Sequence, residues 1–149
     1  MQLRAYLFIE DAKITPPESA DGIEWEVEYT IKNNGPTPAH RIKTWDIVSV
    51  ENWYPDKIPR PIDSDYLGSI GPNGDFVDAT AILENGITGF DLAYSKPSES
   101  KEKAIFLVGR IRYRDVFGVP HKTDFCFFAK GAIKKGDQME AYDEGNDST

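Results

Sequence analysis

The chain has 149 residues, 40% of them hydrophobic, and carries 25 acidic against 17 basic side chains, a formal charge of -8. That length suits one domain with a real core, and the acidic balance argues against a general affinity for nucleic acid or for an anionic membrane face. The single cysteine, Cys126, excludes an internal disulfide framework and a cysteine-rich zinc site.

No run approaches the roughly 20 apolar residues that cross a bilayer, and the first residues lack the basic, apolar and small-residue regions of a secretory signal. The sequence reads as soluble, and as cytoplasmic unless a hydrophobic anchor precedes Gln2. Residues 2–10 predict a first strand, with Leu3, Ala5, Leu7 and Ile9 alternating with Arg4, Tyr6 and Phe8. Pro16 and Pro17 end it. Ile23, Trp25, Val27, Tyr29 and Ile31 alternate with Glu24, Glu26, Glu28, Thr30 and Lys32, which predicts a half-buried second strand with a wet acidic face. Trp25 is its expected core aromatic.

The turn cluster Asn33-Asn34-Gly35-Pro36-Thr37-Pro38 leads into a third strand over residues 39–50. Residues 51–66 read as a long proline-punctuated loop, and Pro72-Asn73-Gly74 marks a turn into a strand over 76–83. A short helix is possible within 85–94, weakened by Gly86 and Gly89. Residues 96–103 form a solvated linker. Strands over 104–113 and 125–129 then pair as a hairpin, with Asp115 and Gly118 supplying the bend. Residues 1–135 are expected to make the domain, and residues 136–149 an acidic, mobile tail with little to bury.

About seven strands with at most one short helix predict an all-β fold, an antiparallel immunoglobulin-like β-sandwich, with a small closed barrel as the alternative. LRAYL at residues 3–7, NNGPTPAH at 33–40 and GRIRYRDVFG at 109–118 with the following FCFF together resemble a bacterial family without an assigned activity. Its pattern is N-x-G-x-T-P-A followed by G-x-I-x-Y-x-D-x-F-G, and the similarity spans residues 3–128. The resemblance implies a soluble β-rich domain behind one or two N-terminal membrane helices. It therefore implies the cell envelope of a bacterium if such an anchor exists.

Candidate chemistry competes with structural roles. Cys126 and His121 stand five apart, too far along an extended strand for a base to activate a thiol, so Cys126 is expected to be buried and inert. His40 reads as a strand-surface residue. Asp63, Asp65, Asp75 and Asp78 could supply oxygen ligands or an acid–base pair, but their spacing matches no calcium loop and no cleft is evident. Asp115 and Gly118 fit turn formation. Arg110, Arg112 and Arg114 make a row that could hold an anion, though pairing with Glu24, Glu26 and Glu28 on a neighbouring strand is the simpler expectation.

The loop with Trp53, Tyr54, Lys57, Arg60 and Tyr66 is the expected binding surface, because aromatic and arginine side chains concentrate at recognition hot spots. The leading functional reading is a non-catalytic module that binds a protein partner without metal or cofactor. Its alternatives are a hydrolase-like enzyme using surface carboxylates and an assembly domain pairing through a sheet edge.

Overall fold

The computed structural model describes residues 4–17, 25–52, 64–83 and 103–149, with residues 52, 64–67 and 75–83 described by their backbone alone. The described residues form strands without helix. Seven long strands come first: β1 (Leu7–Thr15), β2 (Trp25–Asn33), β3 (Ala39–Asn52), β4 (Ser64–Ile70), β5 (Asp75–Leu83), β6 (Lys103–Arg114) and β7 (Pro120–Lys130). Three two-residue strands follow, β8 (Asp137–Gln138), β9 (Glu140–Ala141) and β10 (Asp147–Ser148).

Two antiparallel sheets result. One has the order β5-β2-β1-β8, and the other β10-β7-β6-β3-β4 with β9 also on β7. With β1, β2 and β5 in one sheet and β3, β4, β6 and β7 in the other, the fold is an antiparallel β-sandwich. Between the sheets, Trp25, Val27, Tyr29 and Ile31 from β2 meet Ile42, Ile105, Leu107, Ile111 and Phe125, all at most 2% exposed. Each such large apolar side chain contributes about 1.5–3 kcal/mol by leaving water.

Strand boundaries depart from the periodicity where a bulge resets it. The first strand runs from residue 7 to 15, not 2 to 10, because the register shifts between Ile9 and Asp11. Before that bulge odd-numbered Leu7 is buried; after it the even-numbered Ala12 and Ile14 are. A second irregularity sits at Arg41, whose φ is 51°, and lets both Ala39 and Ile42 point inward. The third strand extends to Asn52, and Ser64 to Tyr66, expected in a loop, already pair as β4. The helix expected within 85–94 lies outside the described residues.

Residues 136–149, expected to be a mobile tail, pack on both sheets. Gly136 N donates to Ile14 O and Met139 N to Ala12 O, tying the segment to β1. Met139 and Tyr142 are each 6% exposed. Tyr142 meets Phe106 edge-on at 5.2 Å and Phe128 at 6.0 Å, over an apolar patch on the outer face of the β6–β7 sheet. Asn146 then brackets Cys126, accepting from its N–H and donating to its carbonyl. Two apolar side chains, one amide and the backbone pairing of β8, β9 and β10 together seat an otherwise polar segment.

Asn33 holds the neighbouring turns together. Its Oδ1 accepts from Tyr6 N and Gly35 N, and its Nδ2 reaches the carbonyls of Thr37, Ile70 and Gly71. Gly35 presses against the backbone of Arg4 and Ala5, where a Cβ has no room. The N-x-G-x-T-P segment is thus explained by packing.

Candidate functional site

The outer face of the β7-β6-β3 layer is divided. Toward residues 104–108 it is apolar and covered by Tyr142; toward the hairpin bend it is charged. The division arises on β6 itself, where six consecutive residues, Ala104 to Gly109, are buried before alternation of Arg110, Arg112 and Arg114 with Ile111 and Tyr113 begins.

At the charged end, Arg41, Lys43, Arg112, Arg114 and Lys122 surround an open concavity of about 750 Å³, with Tyr113, Pro120, His121 and Thr149 completing its walls. Strand register places three of the cations in one line. Lys43 lies opposite Arg112, and Arg112 lies opposite Lys122. Like charges directly opposed across a sheet are destabilising, so the fold keeps this row against a local electrostatic cost. Arg112 rests 5.4 Å from the centroid of the Trp45 ring, and Arg114 donates to Gly118 O at 2.8 Å. Lys122 reaches Asp124 at 3.2 Å. Among the described residues, Arg41, Lys43 and Arg112 have no carboxylate partner.

Arg110 stands apart from the cleft. Its Nε and an Nη hold both oxygens of Asp124, at 2.5 and 3.2 Å. Burial pushes the Asp124 carboxyl upward, but hydrogen bonds from Arg110 and Lys122 outweigh it and leave the group below the usual range. The arginine row does not pair with Glu26 and Glu28 as expected, because β2 belongs to the opposite sheet and both face solvent there; Glu24 lies outside the described residues.

Beneath the cleft, Asp115 and His121 close the bend. Asp115 Oδ1 accepts from Phe117 N at 2.9 Å and Val119 N at 3.0 Å, while Oδ2 accepts from His121 Nε2 at 2.8 Å. Arg4 donates to the other ring nitrogen at 3.3 Å, which requires Nδ1 to be the acceptor. The His121 hydrogen bond, helped by the two backbone N–H groups, holds the Asp115 carboxyl below its ordinary range against the opposing effect of desolvation. Both nitrogens of His121 are thereby engaged in structure.

Cys126 is fully buried on the face opposite His121, and burial with nearby Asp143 and Glu144 pushes its thiol up to about 12. The expected burial is found, and a thiol raised in this way yields little of the reactive thiolate at neutral pH. Among the described residues, no group of three or more His, Cys, Asp or Glu side chains could hold a metal ion.

Of the expected binding residues, Trp53, Tyr54, Lys57 and Arg60 lie outside the described residues. Tyr66 lies on β4, paired by its backbone with Lys43, which places it at the end of the Lys43–Arg112–Lys122 line. Arg41, Lys43 and Lys122 were not among the expected site residues. Lys122 was legible in principle, since a five-residue bend from Asp115 to Val119 sets it against Arg112. Arg41 and Lys43 were not, because their position depends on β3 lying beside β6. No family model, curated protein or solved structure matches the chain.

Proposed function

We propose that this domain is a non-catalytic binding module whose basic cleft holds a partner bearing closely spaced phosphate or carboxylate groups. The carrying observation is the cross-strand line Lys43–Arg112–Lys122 within a chain of formal charge -8. An anion bridging the line offsets the repulsion that the folded sheet otherwise bears, and arginine and lysine supply forked and point-charge donors for such groups. A binding role is supported further by the sealed Cys126 and by His121, whose nitrogens are committed to Asp115 and Arg4.

Inorganic pyrophosphate is a suitable probe. Calorimetric titration is expected to give saturable binding that weakens with salt, and Lys43→Glu or Arg112→Glu is expected to abolish it without loss of the β-rich circular dichroism spectrum. Binding unaffected by either reversal would remove the cleft from consideration.

A further inference from the structure

We infer that the bend of the β6–β7 hairpin docks on an anionic lipid bilayer, with Phe117 entering the interface while the cleft's cations meet lipid phosphates. The inference rests on the anion-binding reading of the cleft and names the surface that presents the anions. Among the described residues, the large exposed hydrophobic side chains are Val116, Phe117 and Val119, and all three lie on this one bend. Phe117 is 69% exposed at its tip.

Four of the five backbone N–H groups from Asp115 to Val119 are paired within the bend. Phe117 N and Val119 N donate to Asp115 Oδ1, Gly118 N donates to Asp115 O, and Gly118 O accepts from Arg114. Leaving bulk water therefore exposes few unpaired donors, the main penalty against placing a loop in an apolar layer. Gly118, at φ 77°, allows the tight bend without strain.

Charge supplies the orientation. Arg114 and Lys122 flank the bend in sequence, and Arg41, Lys43 and Arg112 extend the basic surface behind it. An anionic bilayer attracts this end and repels the remainder of an acidic chain, so the hairpin approaches tip first. Each cation near such a surface strengthens attachment by about fivefold. A convex apolar point with a basic skirt suits a fluid layer, which conforms around it, better than a rigid protein surface, which must present a matching pocket.

Co-sedimentation with phosphatidylcholine vesicles, with and without phosphatidylserine, tests the inference alongside pyrophosphate titration of the same proteins. The wild type is expected to sediment with the phosphatidylserine vesicles alone. Phe117→Ser is expected to lower that partition by about tenfold and leave pyrophosphate binding unchanged, whereas Arg112→Glu removes both. Pyrophosphate binding without vesicle binding overturns the membrane inference and leaves the cleft reading standing. Vesicle binding that ignores Phe117→Ser also overturns it, since attraction would then need no insertion. Loss of both activities in the wild type overturns both readings.

Discussion

Gly109 and Phe125 face each other across β6 and β7, and the phenyl ring occupies the space where a Cβ on residue 109 would stand. The Trp45 carbonyl crowds the same point, so the backbone has little freedom to give way. The ring also packs on Tyr29 from the opposite sheet at 5.3 Å. Gly109→Ala is expected to destabilise the domain by about 1–3 kcal/mol through overpacking. Urea denaturation measures it, and an unchanged midpoint would show that the sheets absorb the methyl group.

Asn33→Ala should be at least as damaging. The substitution leaves the Tyr6 and Gly35 N–H groups and three carbonyls without their amide partner in a fully buried site. Each buried polar group left unsatisfied costs about 1–3 kcal/mol, and a loss of about 3 kcal/mol or more is expected. A loss under about 1 kcal/mol would mean that water replaces the amide.

Acid should weaken the hairpin through Asp115. Its native carboxyl is held low, chiefly by His121, so it contributes stability that is complete above the ordinary carboxylate range near about 4 and lost as pH falls through the lowered native value. Denaturant midpoints should therefore fall in that acidic window. Asp115→Asn should reduce the size of the fall, and an identical profile in the variant would show that the carboxylate's ionisation contributes nothing to stability.

Tyr142 is expected to protect Cys126. Both belong to the apolar cluster on the outer face, where Tyr142 meets Phe106 and Phe128 edge-on. Tyr142→Ala should cost about 3 kcal/mol and allow a thiol reagent to label Cys126 in native buffer, while the wild-type thiol stays protected. Equal, slow labelling of both proteins would mean that the β-sheet alone seals the cysteine.

Local pattern determined much of the fold. The alternation of Trp25, Val27, Tyr29 and Ile31 with acidic residues identifies β2 and its wet face, since adjacent strand side chains point to opposite sides. Asp115 and Gly118 identify the bend by the same local logic: one accepts from nearby N–H groups and the other takes positive φ. Tertiary structure decided what periodicity does not encode. Bulges after Ile9 and at Arg41 reverse which residues face inward, and no local signal marks them. Residues 136–149 are held by distant partners, β1 and Cys126, despite their polar composition. The basic cleft arises because β3 and β7 flank β6, bringing Lys43 and Lys122 beside Arg112 from opposite sides. Sequence alone displays the cations; strand order determines which of them share one electrostatic field.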